Sequence, residues 1–288
     1  MYIKSPLNYT GGKFKLLPQI LPLMPKEITT FVDLFCGGCN VAVNVVVKGN
    51  KYCNDIESHV IDFYKGVQGL TGEEAKSRVL EVVDKYGLSK QNQDGFLKCR
   101  EDYNKEKSWE MFYAVISHAF NYQIRYNRNG AYNMPFGKDR SSFSEVLQKK
   151  FVDFVDELHN KNTYIFTNKD FREVDFDNLG ENTFVYADPP YLITTAAYNE
   201  NGGWSEKDEN DLYALLDKLN EKGIKFMLSN VIENKGKTNE ILQEWSKKYT
   251  VIDLNYSYGN CSYHAKDKGK DTTREVVVVN YQPDLTLK

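Results

Sequence analysis

FVYADPPYLITT, residues 184–195, joins a β-prone apolar run to an acid, two prolines and a tyrosine. Proline has no N–H to give to a sheet ladder, so Pro189 and Pro190 stop the strand that Phe184 begins. Asp188 then stands at a strand end, and in α/β sheets ligands gather outside the carboxyl ends of strands. Each proline fixes its own φ and restricts the residue before it, so Asp188 and Pro189 are both held extended and their carbonyls point where the chain dictates. Beside an aromatic ring, such a cluster suits a planar ligand. Asp and Pro are also ordinary residues for leaving a sheet, so this stretch alone leaves a plain turn as an equal reading.

Outward from this point, strands and helices alternate. FVDLF (31–35) reads as a strand, CGGCNVAVNVVV (36–47) as a turn entering a helix, and KYCNDIE (51–57) as a second strand ending at Asp55. TYIFTNKDF (163–171), FVYADPPY (184–191), KFMLSNV (225–231), YTVIDLNY (249–256) and REVVVVNY (274–281) bring the total to about seven strands. The last two have no helix between them and are expected to pair antiparallel. Between residues 56 and 120 the pattern turns helical, with EEAKSRVLEVVDKY (73–86) and WEMFYAVISHAF (109–120) as amphipathic helices. QIRYNRNGAYNMPFG (123–137) then predicts a hairpin around Asn129-Gly130. A helix near 144–159 follows, and Ser205-x-x-Asp208 is a capping-box pattern that opens another. The helical and hairpin stretch reads as an insert in an α/β sheet.

Composition sets the class. The chain has 288 residues, 41% hydrophobic and 14% aromatic, enough for a substantial core in one large or two modest domains. No apolar run approaches the roughly 20 residues of a membrane span, and MYIKSPLNYTGGK has no signal-peptide core, so a cytoplasmic location with no membrane partner is expected. Cys36, Cys39, Cys53, Cys99 and Cys261 are odd in number and lack a disulfide-framework spacing, as in a reducing compartment. Cys36 and Cys39 form a C-x-x-C, but no second pair or close His pair exists among His59, His118, His159 and His264, so no metal is expected. The net charge of −3 does not announce nucleic acid. Residues 120–150 nevertheless hold six bases, Arg125, Arg128, Lys138, Arg140, Lys149 and Lys150, against Asp139 and Glu145, a local +4.

Gly37 and Gly38 would let backbone approach a ligand after the first strand, but G-x-G-x-x-G is absent, which disfavours a nicotinamide enzyme. Asp55 follows the glycines by about twenty residues, the place from which an acid accepts hydrogen bonds from ribose hydroxyls. A glycine turn, an acid after strand two and D-P-P-Y after strand four together point to a methyltransferase.

At these residues the chain resembles the Dam-type DNA adenine methyltransferases, the T-even bacteriophage branch most of all. The resemblance runs through YTGGK (9–13), FVDLFCGG (31–38), NDIE (54–57), EDYNK (101–105), PFGK (135–138), DPPYLIT (188–194) and EWSKKY (244–249). It implies a Rossmann-like α/β fold with a seven-stranded, mostly parallel sheet, an antiparallel last strand and a helical and β-hairpin target-recognition insert. It also implies a catalytic domain at 1–56 and 141–288, a recognition insert at 57–140, S-adenosylmethionine as cofactor and double-stranded DNA as partner. Such enzymes flip an adenine out of the duplex and methylate its exocyclic nitrogen, usually within GATC, in restriction-modification systems and bacteriophages.

The family's roles fall on particular positions. Tyr9 and Lys13 help enclose the cofactor, Asp33, Phe35, Gly37 and Gly38 receive its methionine part, Asp55 binds its ribose and Asp170 contacts its adenine. Asp188 and the carbonyl of Pro189 each take one hydrogen of the target amine, which turns the nitrogen lone pair towards the methyl group; Pro190 gives rigidity and Tyr191 stacks on the flipped ring. Phe120 and Asn121 are the expected wedge in the space left by the base, and Arg125 the reader of a guanine edge. Gln123, Asn127, Arg128, Pro135, Lys138 and Arg140 complete the expected DNA contacts. Gln123 stands where relatives have an apolar residue, and Asp139 where the phage enzyme has a base. Methylation of another amino group, or a non-catalytic nucleic-acid-binding regulator that keeps the fold, are the alternatives.

Overall fold

The computed structural model describes residues 2–161, 163–194, 203–255 and 273–284. Thr195, Tyr256, Cys261 and His264 lie outside the described residues. In chain order the elements are α1 (Leu17–Ile20), β1 (Thr30–Asp33), β2 (Lys51–Asn54), α2 (Ser58–Val67), α3 (Gly72–Tyr86), α4 (Gln93–Glu106) and α5 (Trp109–His118). There follow α6 (Glu145–Lys161), β3 (Tyr164–Thr167), β4 (Thr183–Ala187), α7 (Glu206–Glu221), β5 (Lys225–Asn234), β6 (Lys237–Thr238), α8 (Glu240–Trp245), β7 (Thr250–Asp253) and β8 (Thr273–Val279). All seven expected strands are present, and the short β6 is an addition. The chain forms two compact units: Met1–Phe14, Cys36–Asn44 and Asp55–Asn168 make one, and Lys15–Phe35, Val45–Asn54 and Lys169–Lys288 the other.

The second unit is built on a sheet whose strands run β2-β1-β4-β5-β8-β7, with β6 beside β5. β1 pairs parallel with both β2 and β4, and β4 pairs parallel with β5. β8 is antiparallel to β5 on one side and to β7 on the other, so the expected antiparallel strand sits inside the sheet rather than at its edge. Strands buried on both faces need apolar centres, which Phe31-Val32 of β1 and Phe184–Ala187 of β4 supply; every residue of both strands is buried. Leu212, Leu216 and Leu219 of α7 recur at helical spacing and join Val32, Val185, Leu228, Val276 and Val278 in one core. The Ser205 capping box opens α7 as expected: the Ser205 hydroxyl accepts from the Asp208 N–H, and Asp208 accepts from the Ser205 N–H.

The first unit is helical and aromatic. Phe63 of α2 stacks on Tyr113 of α5 with centroids 5.5 Å apart and touches Phe112 and Phe151 at 5.9 and 6.2 Å. Thr71 and Glu74 form a capping box at the start of α3, and Gly87 ends it in the left-handed region. The helix expected after the glycine turn does not form. Residues 39–45 make turns, with single bonds from Val43 N–H to the Cys39 carbonyl and from Asn44 N–H to the Val41 carbonyl. Five β-branched residues within Val41–Val47 disfavour helix, and the Asn44 amide bonds the carbonyls of Asn40 and Ile3 instead.

Candidate active site

β4 ends at Ala187, and Pro189 and Pro190 supply no further ladder donors, so Asp188 leaves the sheet at its carboxyl edge. The β1–β4 register aligns Asp33 with Tyr186, which delivers buried Asp33 and half-buried Asp188 to the same edge of the second unit. Pro189 is buried, and Pro190 and Tyr191 are half-buried. The Tyr191 hydroxyl lies 3.0 Å from Asp188 Oδ1 and 3.2 Å from Glu275 Oε1. Burial, and then the charges of Asp188 and Glu275, push this phenol well above its ordinary value, which keeps it a neutral donor. Thr194 closes the turn, its N–H and its hydroxyl both donating to the Tyr191 carbonyl. On β4 itself, the Tyr186 hydroxyl pairs with that of Ser229 at 2.8 Å.

Three rings gather in the same unit. Phe35 lies 5.4 Å from Phe171 and edge-on to Trp204 at 5.7 Å, and Phe171 and Trp204 are 5.7 Å apart. The Trp204 indole donates to Glu209 Oε2 at 2.6 Å, and the fully buried Glu209 also accepts from Tyr213, Asn230 and Asn239. Asp170 caps the turn that carries Phe171, accepting from the Arg172 N–H at 2.9 Å and from its guanidinium at 3.0 Å. Arg172 also reaches Asp208 and Asp211, so Asp170 is first of all a brace for the Phe171 turn.

The glycine turn belongs to the first unit. Gly37 has φ +43°, and a Cβ there would lie 2.7 Å from the Tyr9 ring, so a side chain at 37 would collide with the residue expected to help enclose the cofactor. The buried Asp55 accepts from the Gly37 N–H at 2.7 Å and from the Glu57 N–H at 2.9 Å. Burial raises its carboxyl above the usual range, and the backbone donors of Glu57, Gly37 and Ile56 oppose the rise. The buried Tyr64 hydroxyl donates to the Gly37 carbonyl at 2.7 Å, so both sides of the glycine peptide chain are tied. Lys13 is buried, and its ammonium donates to the Gly11 carbonyl at 3.0 Å. Ile56, next to Asp55 in the chain, is 65% exposed.

All nine residues expected to touch DNA are exposed: Phe120, Asn121, Gln123, Arg125, Asn127, Arg128, Pro135, Lys138 and Arg140. Their hairpin is real but has no continuous ladder, only the isolated bridges Tyr126–Tyr132 and Ala119–Phe136. Helix α4 supplies what the ladder lacks. Arg100 donates to the Met134 carbonyl at 2.7 Å, Asn104 accepts from the Tyr132 N–H and donates to its carbonyl, and Lys107 donates to the Gly130 carbonyl. Arg100 and Asn104, four residues apart, share one helix face, and Lys107 is the left-handed residue that ends the helix. Asn127 organises the tip, its side-chain oxygen accepting from the Asn129 and Ala131 N–H groups. Arg125 donates to the side chain and the carbonyl of Asn133. At the expected wedge, Asn121 and Tyr122 both hold positive φ, 54° and 56°, strained for an aromatic residue. Asn8 steadies the kink by donating to the Asn121 carbonyl at 2.8 Å.

Residues 9–259 match the family model of the D12 class N6 adenine-specific DNA methyltransferases. The chain belongs to that family. It is 47% identical over 285 residues to the type II methyltransferase M.FokI of Planomicrobium okeanokoites, covering 97% of this chain and 43% of that protein. It is 44% identical over 288 residues to the modification methylase StsI of Streptococcus sanguinis, covering 98% of this chain and 43% of that one. The chain therefore spans less than half the length of these two relatives. A DNA N-6-adenine-methyltransferase of Escherichia phage P1 is 28% identical over 236 residues, 79% of this chain and 30% of that protein. The sequence reading missed Tyr64, Glu275, Glu209 and the α4 anchors. Only Glu275 carried a signal, an acid opening the run VVVV. Among the described residues no group of His, Cys, Asp and Glu could hold a metal ion, and no helix is long and apolar enough to cross a membrane.

Proposed function

We propose that this chain transfers a methyl group to the exocyclic N6 of adenine in double-stranded DNA. The observation that carries this reading is Asp188, fixed at a strand end by two prolines, with the Pro189 carbonyl next in the chain. S-adenosylmethionine, the methyl donor of the family, supplies an activated methyl on sulfur. Taken unit by unit, the residues present suit parts of it: in the second unit the rings of Phe35, Phe171 and Trp204 suit a purine, and in the first Asp55 keeps lone pairs for hydroxyls beyond those given to Gly37 and Glu57. In the first unit the Tyr9 ring packs against Gly37 and Gly38, and in the second Asp33 shares the strand edge with Asp188. An amine nitrogen conjugated to a purine is a weak nucleophile. Asp188 and the Pro189 carbonyl accept its two hydrogens, which aims the lone pair, and Asp188 opposes the positive charge that develops on nitrogen.

For DNA, we assign recognition to 57–140 and catalysis to 1–56 and 141–288, with the target adenine flipped out and Phe120 and Asn121 in the gap. Exposure and the positive φ values at 121 and 122 support that role. Arg125 reads a guanine edge, and Arg128, Lys138 and Arg140 hold phosphates. GATC is the motif under test. It rests on the resemblance to Dam of T-even phages, whereas the relatives matched over almost the whole chain carry the names of type II modification methylases. Sequencing with modification detection, on DNA from cells expressing the chain, reports activity, base and motif together. The expected result is N6-methyladenine at one short motif, and unmodified DNA would favour the non-catalytic regulator.

A further inference from the structure

The strand β8 reads TREVVVV, and its third residue is a carboxylate that is 3% exposed in the interior of the sheet, opposite Val231 of β5. Burying an acid among valines is costly, so a strand that keeps one has a use for it. The Tyr191 hydroxyl joins this acid to the strand end of β4, lying 3.2 Å from Glu275 and 3.0 Å from Asp188. A phenol has one proton to give. It can lie on Asp188 or on Glu275, but it cannot satisfy both fully.

We propose that Glu275 is a positioning residue for Asp188: it accepts the Tyr191 hydroxyl proton and so leaves the Asp188 oxygen to the target amine. This rests on the reading above, in which Asp188 accepts a hydrogen from that amine. A hydrogen bond to a carboxylate spreads its charge and weakens it towards the next donor. When the adenine amine arrives, Tyr191 and the amine compete for Asp188, and Glu275 gives Tyr191 a second acceptor of equal charge. The ring of Tyr191 can then lie against a base without its hydroxyl drawing on the acid that works beside it. The Tyr191 phenol stays protonated under burial and two nearby charges, which keeps one donor shared between two acceptors.

The test is the single-turnover methyl-transfer rate of Glu275→Gln, Tyr191→Phe and the double variant, with cofactor and DNA saturating. Glu275→Gln should slow the chemical step by about tenfold to a hundredfold while both dissociation constants hold. The double variant should be faster than Glu275→Gln alone, because removing the hydroxyl removes the competitor for Asp188. A merely structural acid would make the two penalties multiply, and that result, or a wild-type rate in Glu275→Gln, overturns the proposal. If Glu275→Gln does not fold, Glu275→Val extends the valine run with no buried polar group and enters the same comparison. Asp188→Ala separates the two failures: if it still transfers methyl, the functional reading falls, whereas if it is inactive and Glu275→Gln is wild type, only the role of Glu275 falls.

Discussion

At the end of β4 the backbone itself fixes a side chain: a fully buried strand stops at two prolines, and Asp188 has little choice of direction. In the hairpin of residues 120–137 the backbone has few bonds of its own, and side chains of α4 and of Lys107, which ends it, hold it. The first arrangement suits a reaction, which needs one geometry within fractions of an ångström. The second suits recognition, which needs an exposed, adjustable set of side chains on a steadied support. One tool fixes an atom, and the other presents a surface.

The largest effect should come from breaking the fixed side. Asp188→Ala should lower single-turnover transfer by at least about a hundredfold to a thousandfold, with cofactor affinity by calorimetry little changed, because Asp188 acts on the amine rather than on the cofactor. Equal loss of both would show that the strand end holds the cofactor instead. On the presented side, Asn104→Ala leaves the N–H and carbonyl of Tyr132 without their helix partner and should weaken DNA binding by about tenfold, with the rate at saturating DNA preserved. A fall in that rate with unchanged DNA affinity would erase the contrast between the two regions.

The glycine turn lies between these extremes and offers a smaller effect. Tyr64→Phe leaves the Gly37 carbonyl without its buried donor and should reduce stability by about 1–2 kcal/mol, read as a lower melting midpoint. An unchanged midpoint would mean that Asp55 alone sets the turn. Smallest are the effects at the proposed phosphate contacts: Ala at Arg128, Lys138 or Arg140 should each reduce the log–log salt slope of DNA binding by about one. A position whose replacement leaves the slope intact is not on a phosphate.

The strand end was legible because its causes are local. Pro189 and Pro190 stop β4 by covalent geometry, and the runs around Phe31, Val185 and Val277 are apolar enough to be interior strands whatever surrounds them. The capping box at Ser205 is equally local. The helix expected after Gly38 failed because a glycine turn raises an expectation that the β-branched residues after it cannot meet. Tyr64, Asn104 and Glu209 were invisible for another reason. Each acts on a residue at least 20 positions away, Gly37, Tyr132 and Asn230 respectively, and an exposed asparagine and one bonded to a distant backbone look alike in sequence. Asp170 shows the converse: its position after β3 is as expected, but its carboxylate is taken up by Arg172, a partner the motif does not mention.

The place of β8 inside the sheet bears on how the protein is made. β7 pairs with β8 and β5 meets it from the other side, yet β8 comes last of these strands from the ribosome. Until it arrives, the backbone groups of β5 from Met227 to Asn234 form an open edge able to template pairing with another chain. The segment that closes that edge, Val276 to Val279, is itself an apolar, uncharged run of the kind that self-associates, guarded on its amino side by Arg274 and Glu275. A nascent chain stalled or cut after Asp253 would therefore present a sticky strand edge rather than a slightly smaller enzyme, and its yield in soluble form should collapse even though every residue of β4 and the turn after it is intact.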